Sequence, residues 1–262
     1  AGYSPYIAIF WGIVVGIGVG LLPGLVNGIL VAKFRVPPFI ATLGIYGVAN
    51  GFALRFSQGF PITFLPPEVG EIGNGFVAYF LPGKGYSFLK KPAGILPEDM
   101  RNLVGIAPFA FLIALLFILI FAFILSRTVF GQHTYAVGGN IDAARRAGIP
   151  VGRHLIKVYV ISSFFASLSG VLATLVFSIG APTQFSSSLE LFAVAAVVIG
   201  GASLMGGKGS MLGTFLGVLV LSVLEIGFLM SGILPFYRYV AVGVTLIAAV
   251  LIDQSFPELV YD

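Results

Sequence analysis

The chain has 262 residues, of which 58% are hydrophobic and 9% charged, with a formal net charge of +4. A soluble domain carries about a quarter charged residues, so a mean hydropathy of +1.06 excludes an ordinary water-soluble enzyme or nucleic-acid-binding module and indicates an integral membrane protein. At about 20 residues per span the length accommodates six to eight helices with their loops, roughly, and the lack of cysteine removes disulfides and thiolate metal sites.

The first apolar run, Ile7 to Ala32, carries Gly12, Gly16, Gly20, Gly24 and Gly28 at intervals of four. Each such step turns a helix by about 400°, so the glycines form a slowly winding groove into which a neighbouring backbone can pack. Pro23 predicts a bend. Asn27 places one amide inside the run, either as a hydrogen bond to another helix or as a contact to a solute. Lys33 and Arg35 mark a turn, and Pro37 and Pro38 open a second run, Phe39 to Leu54, short enough to be tilted or broken. Thr42 and Asn50 are its candidate polar groups on a solute path.

From Arg55 to Gly105 the hydropathy falls, and Pro61, Pro66, Pro67, Pro82, Pro92 and Pro97 argue against any long helix or central strand. Residues 55–105 are therefore expected to form one extramembranous loop. Ile106 to Ser126 and Tyr159 to Ile179 read as further spans. Leu189 to Leu204 opens with Glu190 and closes in Gly200 and Gly201, which suits either a thin span or a re-entrant element. Met211 to Met230 and Phe236 to Ile252 follow, with Asp253, Glu258 and Asp262 in a short tail. The fold class is thus an all-α integral membrane protein, with about seven transmembrane helices if every run crosses. One transmembrane domain over residues 1–262 is expected, and the start at Ala1 without a signal-like basic region suggests part of a longer chain.

The one strongly polar, basic interval between apolar runs is residues 138–157, GGNIDAARRAGIPVGRHLIK. Asn140 can cap a short helix from Ile141 to Ala147, Asp142 complements the dipole at its start, and Arg145 and Arg146 do so at its end. Gly148 and Pro150 stop it. Ala143, Ala144 and Ala147 leave one side almost bare. Such a helix is either an ordinary capped surface helix or a knob shaped for a partner's groove.

Chemistry is sparse elsewhere. GGKGS at residues 206–210 imitates a phosphate loop, but Lys208 precedes Gly209, and Ala202 stands where the first glycine of GxxxxGK[ST] belongs. The glycines instead suit a tight turn followed by close helix packing. His133 and His154 lack metal-ligand spacing. Glu225 is the only acidic residue well inside an apolar run, and an intramembrane carboxylate is costly enough to mark a functional candidate. It could bond a solute hydroxyl, pack as a neutral acid or carry a proton. No catalytic constellation emerges, so no enzyme is expected.

If all seven runs cross, Lys33, Arg35, Arg127, Arg145, Arg146, Arg153, Lys157 and Lys208 share one side. Arg55, Lys84, Lys90, Lys91, Arg101 and Arg238 lie on the other, and all but Arg238 sit in the long loop, where the positive-inside rule is weak. The first side is therefore the cytoplasmic one, and the odd count leaves the N-terminus outside.

AVGGN..AAR.AGI at residues 136–149, followed by VYVISS, resembles the cytoplasmic coupling loop of bacterial ABC importer permeases, in the monosaccharide (ribose/xylose-type) group. GLVNGILVAKFRVPPFIATLG, PITFLP...IGNG and the glycine array GGASLMGGKGSMLGTFLG are similar to the same family. Roughly Ala78 to Val104 departs from it as an insertion, as does Glu225, where the family more often has an amide. Helices that the family carries before this segment, with a GGIDLSVG-like stretch, are not seen.

The resemblance implies a permease subunit that forms the translocation path for a monosaccharide in the bacterial or archaeal cytoplasmic (inner) membrane. Gly139, Asn140, Asp142, Ala143, Ala144, Arg145, Arg146, Gly148 and Ile149 would then couple to a separate ABC ATPase subunit. That partner holds the ATP and Mg, so this chain needs no cofactor. A second permease subunit, identical or different, and an extracytoplasmic solute-binding protein complete the family's assembly. The long loop is then either a contact for the binding protein or an idle extension. The alternatives are a permease for nucleosides or branched-chain amino acids, or an ion-coupled secondary transporter using Glu225.

Overall fold

Glycine brings the helices of this protein together, and proline sets where several of them begin. The computed structural model describes residues 4–81, 85–88, 103–182 and 189–255. It contains two compact units, Ala1–Leu116 with Gly152–Gln184 and Phe117–Val151 with Phe185–Asp262.

In the first unit α1 (Pro5–Ala32) and α2 (Pro38–Ser57) each start on a proline, whose missing amide N–H costs nothing at a helix N-terminus. The glycine groove of α1 receives α7 (Val151–Phe177). A β-carbon at Gly28 would stand 2.9 Å from the Ile156 Cα, one at Gly24 would strike Ser163 and the Tyr159 carbonyl, and one at Gly20 would strike Ser167. Gly16 faces Val171, whereas Gly12 meets nothing, so the groove runs over four of the five predicted glycines. Beside Pro23 the Ser163 hydroxyl accepts from the Gly24 N–H at 3.0 Å and donates to the Gly20 carbonyl at 2.6 Å. One side chain thus bridges a turn of the neighbouring helix.

α2 is unbroken over 20 residues, ended by Gln58 in the left-handed region, contrary to the expected short or broken span. The proline-rich stretch is also more ordered than a loop. α3 (Pro67–Gly73) is pinned to the end of α7, where the Asn74 amide donates to the Val176 carbonyl at 2.8 Å and Ile62 pairs with Gly180. An antiparallel sheet follows in the order β2-β1-β3, from β1 (Phe76–Leu81), β2 (Gly85–Phe88) and β3 (Val104–Pro108). The expectation that no central strand forms here is therefore corrected: FVAYFL contains no proline and bonds on both sides, to Phe88 and to Ile106 through Ala78. Pro108 closes β3, so α4 (Phe109–Arg127) begins later than the predicted Ile106. Residues 89–102 of the expected insertion, with Lys90, Lys91 and Arg101, lie outside the described residues, as do Lys84, Glu258 and Asp262.

The second unit contains the end of α4, α5 (Val129–Gly139), α6 (Ile141–Arg146), α8 (Leu189–Ile199), α9 (Met211–Met230) and α10 (Pro235–Ser255). Its core joins Ala195 and Ala196 of α8 to Leu221 of α9 and Val242 of α10, with Phe192 edge-on to Tyr239. α8 and α9 cross at glycine: β-carbons at Gly213 and Gly217 would collide with the Gly200 and Ala196 carbonyls.

Among the described residues five helices, α1, α2, α4, α7 and α9, are long and apolar enough to cross a bilayer, against the seven runs expected. Leu189–Ile199 and the apolar part of α10, Tyr239–Ala248, are shorter. At about 1.5 Å per residue, the 11 residues of α8 reach about half of a hydrocarbon core roughly 30 Å thick. Glycines 200 and 201 stop it early.

The seam between α1 and α7 predicts a graded result. Gly24→Leu should abolish a monodisperse, helical preparation, Ser163→Ala should lose about 0.5–2 kcal/mol, and Gly12→Leu should be neutral. Thermal melting in mild detergent reads all three.

Candidate functional site

The basic segment folds around two short helices. Thr128 caps α5, its hydroxyl accepting from the Gly131 N–H at 3.4 Å, and Gly131 lies against the Leu125 backbone of α4. The sequence predicts no helix over α5, because VFGQHTYAVGG has neither a proline boundary nor a clear apolar period. Arg153, His154 and Lys157, expected in the polar interval 138–157, lie on the first two turns of α7, with His154 buried.

Asn140 ends α5 and starts α6, its Oδ1 accepting from the Ala143 N–H at 2.9 Å. At the other end the Ile149 N–H bonds the Ala144 carbonyl at 3.1 Å and the Gly148 N–H bonds that of Arg145 at 3.1 Å, with Gly148 at φ +84°. This double bond pattern satisfies the last carbonyls of a helix and needs a left-handed residue, which glycine supplies without steric cost. Asp142 pairs with Arg145 at 3.6 Å across one turn, fully in the open. Exposed pairs of this kind contribute little stability, so the arginines are not tied up by folding.

The bare alanine side divides. Ala144 is 3% exposed and packs inward, while Ala143 and Ala147 face outward with Ile141 beside them. Ala144 therefore seats α6 on its own chain. The exposed side of the helix shows Ile141, Ala143 and Ala147, flanked by the two arginines.

A second chain segment lies behind the helices. The Tyr135 hydroxyl of α5 donates to the Gly209 carbonyl at 2.9 Å. A β-carbon at Gly138 would stand 2.7 Å from the Gly207 nitrogen, and one at Gly207 would stand 2.7 Å from the Gly139 Cα. Gly206 and Gly207, at φ +92° and +77°, turn the loop that makes this contact. The paired glycines were visible in the sequence, but their meeting across some seventy residues was not.

The four candidate path residues divide between the units. Asn27 on α1 is 9% exposed, and its Oδ1 accepts no hydrogen bond. The Thr42 hydroxyl on α2 donates to the Pro38 carbonyl of its own helix at 2.9 Å, and Asn50 on α2 is half-buried. Glu225 lies exposed on α9 in the second unit. An open depression of about 290 Å³ along α8 is lined by Ala193, Val194, Val197, Val198, Ala202, Ser203 and Leu204. With one hydroxyl in an apolar wall it lacks the converging polar groups that hold a sugar. Among the described residues no group of His, Asp and Glu could hold a metal.

Residues 2–250 match the family model described as branched-chain amino acid transport system / permease component. The chain belongs to this family. The permease is 35% identical over 229 residues to the ribose import permease protein of Bacillus subtilis, which covers 87% of this chain and 63% of that one. It is 34% identical to the L-arabinose ABC transporter permease protein of Azospirillum brasilense, over 92% of this chain and 64% of the relative. The xylose transport system permease protein of Haemophilus influenzae is 29% identical over 97% and 78%. The chain thus spans somewhat less than two thirds of the first two relatives. No solved structure matches the chain. Five apolar helices within this family make the permease a multi-pass protein of the cytoplasmic membrane.

The two caps of α6 give a local prediction. Asn140→Ala and Gly148→Ala should each destabilise the helix by about 1 kcal/mol. Faster amide hydrogen exchange from Ala143 to Ile149, with α7 protection unchanged, is the expected reading.

Proposed function

We propose that this chain is the membrane subunit of an ATP-driven importer and contributes a translocation path for a monosaccharide. The observation that carries this reading is the family match together with relatives named for ribose, L-arabinose and xylose. In this reading the chain is not an enzyme. A separate ABC ATPase subunit binds ATP and Mg, and α6 is the lever through which its dimer closure reaches the membrane helices. The coupling set is Gly139, Asn140, Asp142, Ala143, Arg145, Arg146, Gly148 and Ile149, with Ala144 as the internal seat.

Support comes from the shape of α6. It is fixed at both ends by its own bonds and shows small residues outward between two arginines, which suits insertion into an acidic-rimmed cleft. Residues 138–157 are assigned to the cytoplasm and residues 55–105 to the opposite side, with all seven apolar runs counted as membrane elements. A solute-binding protein would meet the latter segment, and a second permease subunit would complete the path. Asn27 is the favoured path residue, since a buried amide oxygen without a donor is costly unless another state supplies one. A carrier for branched-chain amino acids or nucleosides remains a narrower variation on this architecture. The ion-coupled alternative rests on Glu225 alone.

Two experiments follow. When the full-length protein is purified in mild detergent from its native membrane, an ATPase should accompany it, and Ala143→Glu should release that ATPase while leaving thermal stability unchanged. Retention of the ATPase by Ala143→Glu would remove α6 as the lever. Glu225→Gln should leave uptake of labelled ribose, arabinose or xylose within about twofold, a change worth about 0.4 kcal/mol; abolished, proton-dependent uptake would instead favour the ion-coupled carrier.

A further inference from the structure

The loop between α8 and α9 is unusually closed on itself. The Ser203 N–H bonds the Lys208 carbonyl at 3.2 Å, the Gly206 N–H bonds that of Ser203 at 3.1 Å, and the Met205 N–H bonds the Ser203 Oγ at 3.2 Å. Ser210 then caps α9 by accepting from the Gly213 N–H at 3.0 Å. At its two ends the loop joins helices that already touch backbone to backbone at Gly200 and Gly213 and at Ala196 and Gly217. The loop, α8 and the start of α9 therefore form one stiff piece.

That piece meets the α5–α6 segment through contacts that cannot absorb a displacement. Gly138 and Gly139 lie against Gly206 and Gly207 with no side chain between them, so no rotamer change can take up a push. The Tyr135 hydroxyl fixes the register by its bond to the Gly209 carbonyl. α5 is held in turn at its other end by Gly131 against Leu125.

We infer that this contact is a transmission clamp, in which Tyr135 is a positioning residue and the Gly138–Gly139 and Gly206–Gly207 backbones are the jaws. The clamp delivers movement of α6 to α8 and α9 as a single displacement instead of to a flexible tether. This assignment rests on the coupling reading of α6, but the rigidity it requires belongs to the permease alone.

These 262 residues contain no cysteine, so within them spin labels attach only where a cysteine is introduced. Gln132→Cys on α5 and Leu212→Cys in the first turn of α9, both exposed, form the labelled pair in the full-length permease. Pulsed electron paramagnetic resonance reads their distance in the permease alone and in the complex isolated with its ATPase, with and without a non-hydrolysable ATP analogue. A single narrow distance is expected, the same in every state. Tyr135→Phe and Gly207→Ala should each broaden it. Gly201→Ala is the control, since Gly201 has φ +83° but no neighbour for an added methyl group, so it takes the backbone strain without opening the jaws.

A native distance that shifts with nucleotide overturns the clamp. So does a distribution left narrow by both Tyr135→Phe and Gly207→Ala, or one broadened equally by Gly201→Ala. Absence of an ATPase from the isolated complex refutes the coupling reading instead, and the widths measured on the permease alone still decide the clamp.

Discussion

Two helices in an apolar medium gain little by hiding leucine from lipid, because the tails outside offer the same surroundings as the helix opposite. Backbone approach is what remains, and it requires positions without side chains. In the first unit Gly16 to Gly28 let α7 settle into α1, and in the second Gly200, Gly213 and Gly217 let α8 and α9 cross at their carbonyls. Large apolar residues such as Leu22, Phe123 and Val223 point outward. The usual arrangement of a soluble protein, with bulky residues in the middle, is thus partly inverted here, and the small residues carry the specificity.

This explains which features were legible in the sequence. A glycine stripe at intervals of four declares a contact surface, and it announced the α1 groove without naming α7 as its occupant. Asn140, Gly148 and Pro150 announced α6, because a cap and a stop act through bonds only a few residues long. What escaped was whatever depends on distant chain. Nothing near Ala144 distinguishes it from Ala143, yet one faces its own protein and the other the surroundings. Nothing near Tyr135 names Gly209 as the acceptor for its hydroxyl.

The proline-rich stretch shows a different failure. Prolines at 61, 66, 67, 82, 92 and 97 predict a loop over all of residues 55–105, but a proline acts only on its own turn or rung. FVAYFL lies between them, and its aromatic and β-branched residues suit a strand bonded on both edges. Conversely Pro108 acts where it stands, ending β3 and delaying the start of α4 to Phe109, three residues after the apolar run begins.

Ser163 offers a last consequence. Pro23 cannot donate within α1, and the turn next to it would normally recruit a water molecule to serve its polar backbone. Ser163 supplies both an acceptor and a donor there, so it behaves as a water fastened to the neighbouring helix. A free water could leave whenever the surroundings dried. This one cannot, so the Gly20 carbonyl and the Gly24 N–H keep their partner for as long as α1 and α7 stay packed.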